Sequence, residues 1–151
     1  MSPSGKVHYK WWKKFLWLAL IIGAAFAWLS VPLGLGVVFG YLLGRYIDPD
    51  LDLVQTSSSE YRAMRELKIF GALLVAYWLP YSYVIPHRSP LSHFPILGTL
   101  GRFVYVFWWL VPLYIFAGVE FNNIMLFFLI GIFNGLNLSD TIHWVLDVVT
   151  T

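Results

Sequence analysis

The chain has 151 residues, of which 59% are apolar and only 12% charged. Ordinary globular chains carry about 25% charged residues, so a soluble fold of this composition could not cover its own surface, and the sequence points to one integral membrane domain over residues 1–151. The net charge of +2, with no basic stripe, excludes a nucleic-acid-binding role, and the absence of cysteine excludes disulfides, thiolate metal sites and cysteine nucleophiles.

Lys6, Lys10, Lys13 and Lys14 precede an apolar run, which is also how a secretory signal begins, and Ala25-Phe26-Ala27 is a faint cleavage site. The run continues to Leu43, too long for the apolar core of a signal, so it is expected to be retained. A single helix over 15–43 would be roughly 44 Å long, against a hydrocarbon core of about 30 Å. Ser30-Val31-Pro32 lies at its middle, and proline disfavours helix before it while fitting the start of the next. Two helices over 12–29 and 33–46, joined by a tight turn, are therefore expected; one long tilted helix is the alternative.

Residues 45–66 are polar, with Asp48, Asp50, Asp52, Ser57-Ser58-Ser59 and Glu60, and form a loop outside the hydrocarbon. Residues 61–79 read as a helix ended by Pro80. Residues 81–95 are punctuated by Pro86, Pro90 and Pro95 and read as irregular. Residues 97–117 form a further spanning candidate, which carries Arg102 near its start. A turn at 118–123 leads to a long last helix over 124–149, apolar at first and then bearing Asn134, Asn137, Asp140, His143 and Asp147.

The topology turns on residues 67–84. If they cross the membrane, His87 and His93 lie on the face opposite the aspartates. If they return or lie along the interface, the chain crosses four times, over 12–29, 33–46, 99–117 and 124–147. Every Lys and Arg then falls on one side, because the loops near Pro32 and Asn122 carry none. That is a positive-inside pattern, with the N-terminus and the polar face cytoplasmic. The expected fold is thus all-α: about four transmembrane helices plus a re-entrant or interfacial segment over 61–95.

The residues with chemistry are few. Asp140, His143 and Asp147 lie within about 60° of one another at roughly 100° per residue, and a helix presenting His and Asp one turn apart can hold a divalent cation between helices. The competing account is a helix end leaving the membrane with Asp147 solvated. Asp48, Asp50 and Asp52 alternate directly after a spanning segment; carboxylates there suit a cation, though a solvated acidic turn would look the same. In His87-Arg88-Ser89-Pro90-Leu91-Ser92-His93 two imidazoles flank a bent turn, and Arg88 between them can clamp an anion such as phosphate; an interfacial loop facing headgroups is the bland alternative. His8 gains meaning only from this company.

Taken in order, His8, Pro49-Asp50-Leu51-Asp52, the 87–93 heptad and His143-x-x-x-Asp147 resemble a family of small uncharacterised metal-binding membrane proteins. They are also similar to the wider group of membrane-bound metal-dependent hydrolases, itself distantly like the all-helical zinc-dependent phospholipases C. Pro80-Tyr81 and Gly98-Thr99-Leu100-x-Arg102 fit the nearer family, while Ser89 and Ser92 stand where the broader group has Gly and Thr. The resemblance implies that His8, Asp50, Asp52, His87, His93, His143 and Asp147 are metal ligands or support them. It implies zinc first, with manganese or iron as alternatives, and Arg88 as the catalytic-site group holding an anionic leaving group or phosphate. The activity implied is metal-dependent hydrolysis of a phosphoester or lipid-like substrate. Phosphatidic-acid-type phosphatases share a His-x-x-x-Asp ending but need upstream motifs absent here, and no Gly-x-Ser-x-Gly supports a serine hydrolase. The rival class is a non-catalytic accessory subunit of a larger membrane complex, with a structural cation or a ligated chromophore.

Overall fold

The computed structural model describes residues 5–52, 58–86, 89–118 and 120–150, and among these every regular element is helical. The first helix, α1 (Gly5–Lys14), ends in Lys13 and Lys14, whose charge complements a helix C-terminus. Phe15 interrupts it only briefly before α2 (Leu16–Leu29), so that Val7–Leu29 is long and apolar enough to cross a membrane. At Ser30 the backbone is extended (φ −160°, ψ 119°) and Pro32 occupies the first turn of α3 (Val31–Leu43), where its missing N–H is not needed. The break expected in the 15–43 run falls at these residues.

A 3-10 turn (Pro49–Asp52) follows, then α4 (Ser58–Leu67) and α5 (Ile69–Val84). Pro80 does not end the helix, contrary to the sequence expectation. It lies inside α5, where it removes one backbone bond while Trp78 and Tyr81 on either side of it are buried against Ile47, Ile132 and Leu136; packing overrides the local penalty. The break comes instead at Lys68, with φ 53°. There α5 folds back so closely on α4 that a methyl on Gly71 would stand 2.0 Å from the Ala63 carbonyl oxygen.

The short α6 (Pro90–His93) leads to α7 (Leu97–Phe107) and α8 (Leu110–Ala117), which together are long and apolar enough to cross a membrane. Gly118 closes α8 in the left-handed region. The Asn122 side chain then accepts the Met125 N–H at 3.0 Å and starts α9 (Asn123–Thr150), whose Asn123–Val149 stretch is the third helix of spanning length. The expected four spans therefore resolve into three helices of full spanning length and two shorter apolar ones, α3 and α5. At thirteen residues α3 is about 20 Å long, because Pro32 and Gly44 bound it.

The closest packing joins α3 to α9. A methyl on Gly36 would meet the Phe128 carbonyl oxygen at 2.3 Å, one on Gly40 the Ile132 carbonyl oxygen at 2.1 Å, and one on Gly135 the Val37 carbonyl oxygen at 2.0 Å. These pairs advance together along both helices, so the two run parallel, backbone to backbone, as small residues permit. The chain leaving α3 therefore emerges beside the polar half of α9. On the outside, Trp28, Phe116 and Tyr83 are 92%, 85% and 78% exposed, a surface that water does not favour.

Candidate metal centre

Four separate elements bring histidine and aspartate to one place. His143 and Asp147 are one turn apart on α9, on the same face. Their ligand atoms, His143 Nε2 and Asp147 Oδ2, are 3.4 Å apart. Asp50 comes from the 3-10 turn that follows α3, and its Oδ1 is 3.6 Å from His143 Nε2. His93 ends α6 and places Nε2 3.8 Å from the same Asp50 oxygen. His8 on α1 brings Nε2 to 3.3 Å from Asp147 Oδ1, and its ring stacks on that of His143 with centroids 3.9 Å apart. α1 is held there by a reciprocal pair: the Tyr41 hydroxyl donates to the Trp12 carbonyl at 2.7 Å, and the Trp12 indole donates to the Tyr41 carbonyl at 3.2 Å.

The residues form two overlapping triads, His8/His143/Asp147 and Asp50/His93/His143, with the ligand atoms of each within 4.8 Å of one another. The side chains of His8, His93 and His143 are only 10%, 14% and 8% exposed, while that of Asp147 is 24% exposed. The spacings within each triad suit donors around a cation. Separations of 3.3–3.8 Å are long for N–H···O bonds, and His143 Nε2 is buried with no hydrogen-bond partner. Donors bound at about 2.0–2.1 Å around one tetrahedral centre stand roughly 3.3–3.4 Å apart. An N/O donor set of this kind suits a borderline divalent ion.

Electrostatics prepare the site. Burial alone pushes the Asp50 carboxyl up, but the imidazoles of His143 and His93 more than reverse this and hold it well below the usual carboxylate range, so it is ionised. The His93 ring is held by its neighbour. Ser92 Oγ lies 2.9 Å from His93 Nδ1 and 3.1 Å from the Ser89 carbonyl. With Nδ1 engaged by Ser92, the Nε2 side of the ring is turned to Asp50.

Asp140 departs from the expected stripe. It belongs instead to a buried network: Arg102 donates to Asp140 Oδ2 and to the Ser92 carbonyl, both at 2.6 Å, and the Thr99 hydroxyl also donates to Asp140. The Asn137 side chain accepts the Ile96 N–H at 2.9 Å. These contacts tie the His93 turn and α7 to α9. Thr99/Arg102 and Asn137/Asp140, each three residues apart in apolar surroundings, are the sequence signal of this support, though their pairing follows only from the fold. Of the residues expected at the site, His8, Asp50, His93, His143 and Asp147 come together. His87, Arg88 and the Asp52 side chain lie outside the described residues.

One flank of the cluster is a small pocket of about 20 Å³, lined by His8, Asp50 and His143 together with Tyr9, Trp12, Arg45, Asp48 and Arg62. An all-helical chain with this constellation is a metal-binding protein. It belongs to the family of uncharacterized metal-binding proteins designated DUF2227, whose model matches residues 3–151. No curated protein and no solved structure matches the chain.

Proposed function

We propose that this is a membrane-embedded, zinc-dependent hydrolase of phosphoester or lipid-like substrates. The observation that carries this reading is that the His/Asp cluster borders a pocket, whereas a purely structural cation is usually enclosed on all sides. His143, shared by both triads, would hold the ion with ligands drawn from His8, Asp147, Asp50 and His93. When bound, a divalent ion lowers the pKa of a coordinated water and polarises a phosphoryl oxygen. The chain's own part is to hold the carboxylates and imidazoles together, to exclude bulk water from all but the pocket side, and to fix each ring. In the overall reaction water adds across the ester P–O bond, leaving a phosphate P–OH and the alcohol.

Membrane embedding is supported by the three long apolar helices and by the apolar exterior. The contact of His93 with Asp50 supports a segment between them that returns to the face it left. With all Lys and Arg then on that face, the site and the N-terminus are cytoplasmic. Protein purified in detergent without chelator should carry stoichiometric zinc, lost in His143→Ala, and should cleave members of a phosphoester panel. Stoichiometric metal with no turnover on any phosphoester would overturn the hydrolase and leave a structural cation in an accessory subunit.

A further inference from the structure

The pocket beside the metal ligands has a second wall, made by two arginines. Arg45 follows α3 and Arg62 lies on α4; their guanidinium carbons stand 4.8 Å and 4.9 Å from the centre of the same Tyr9 ring. Arg62 is also anchored by donating to the Arg45 carbonyl at 2.8 Å. Arg45 Nη2 donates to the Glu66 carboxylate at 2.6 Å, and the Tyr46 hydroxyl donates to it at 3.1 Å. Both cations are therefore positioned before any ligand arrives.

Their hydrogen-bonding capacity is not used up. Arg45 Nε is buried with no hydrogen-bond partner, which is costly for a charged donor. Among the described residues Arg62 forms no ion pair with a carboxylate, and Glu66 is taken by Arg45. Asp48 and Asp50 also line the pocket, but Asp50 is turned to His93 and His143. A planar guanidinium matches the oxygens of phosphate better than any other side chain, and here two of them line the pocket that His8, Asp50 and His143 also line.

We propose that Arg45 and Arg62 form an oxyanion subsite that holds a phosphate or phosphate-ester group against the metal ligands. This deepens the hydrolase reading and rests on it, since it names the charged group that the substrate carries.

The test is calorimetric titration of inorganic phosphate into zinc-loaded protein in detergent, with zinc content measured on every sample. Wild type should bind phosphate. Arg62→Gln should weaken binding about 10- to 100-fold, the scale of a lost charge-assisted hydrogen bond, and Arg62→Lys less. Lys14→Gln, outside the pocket, should change nothing. Arg45→Lys, which keeps the charge beside Glu66, gives a second reading if Arg62→Gln folds poorly. Unchanged phosphate affinity in Arg62→Gln and Arg45→Lys at full zinc content, or no binding by zinc-loaded wild type, would overturn the subsite while leaving the metal centre standing. Arginine-dependent phosphate binding by a protein that carries no metal would uphold the subsite and sink the hydrolase. In nanodiscs, phosphatidic acid that competes with phosphate where phosphatidylcholine does not would mark a lipid headgroup as the source. Phosphate binding indifferent to phosphatidic acid would mark a soluble ester, and either result supports the subsite.

Discussion

Asp50 stands 3.6 Å from His143 because the helix before the one and the helix beneath the other run parallel with only backbone between them. Gly40 is the position where that approach is closest on α3, with the Ile132 carbonyl oxygen 2.1 Å from where a methyl carbon would be. A backbone atom in a long helix cannot move aside as a flexible side chain can. Gly40→Val should therefore separate α3 from α9, destabilising the protein by about 1–3 kcal/mol or more and lowering bound zinc with it. Thermal unfolding in detergent and elemental analysis check this. Gly118→Ala is the contrasting case: nothing lies within 4 Å of an added methyl, only φ 63° opposes it, and the cost should stay near 1–2 kcal/mol with zinc unchanged.

His143 is the residue common to both triads. His143→Ala should abolish zinc binding, whereas His8→Ala or His93→Ala each removes a ligand from one triad and should leave weakened binding. The hydroxyl behind His93 is a finer probe. Ser92→Ala keeps every ligand atom but removes the hydrogen-bond partner of Nδ1, so zinc affinity should fall about 10- to 100-fold. Competition with a chelator of known affinity measures the series. Equal losses for all three histidines would contradict the shared role of His143.

Much of this centre was legible in the sequence because chemistry-bearing side chains are rare in so apolar a chain. His8, Asp50, His93, His143 and Asp147 stood out against their surroundings, and Pro32 marked the first break correctly. What escaped was set by tertiary contact. Pro80 looked like a helix end because the packing of Trp78 and Tyr81 is invisible locally. Asp140 shared a helical face with His143, yet its partner is Arg102 on another helix. The spacing Gly36-x-x-x-Gly40 and Gly131-x-x-x-Gly135 is plain in the chain, but that these pairs face each other follows only from the fold.

The Arg102–Asp140 pair is buried, its side chains 3% and 2% exposed. Removing one partner strands the other. Arg102→Met should destabilise by about 3–5 kcal/mol, while Arg102→Met with Asp140→Leu should recover a large part of that loss. Chemical denaturation of the two variants beside wild type checks it. Zinc content adds a second readout, because Arg102 also holds the Ser92 carbonyl. A double variant no more stable than the single one would show that the pair does more than neutralise itself.

The Asp50 carboxyl is held below its ordinary range by His143 and His93, and the sign of its pH effect follows. A carboxyl depressed in the folded state stabilises that state fully above the unfolded value of about 3.9 and loses the contribution as pH falls further toward the folded pKa. In metal-free protein, Asp50→Asn should therefore lower the melting temperature at pH 7. The gap to wild type should narrow as the buffer is taken below about pH 4. Melting curves of both proteins from pH 7 to pH 3 decide the matter. A gap that stays constant across the range would mean that Asp50 contributes through packing and not through its charge.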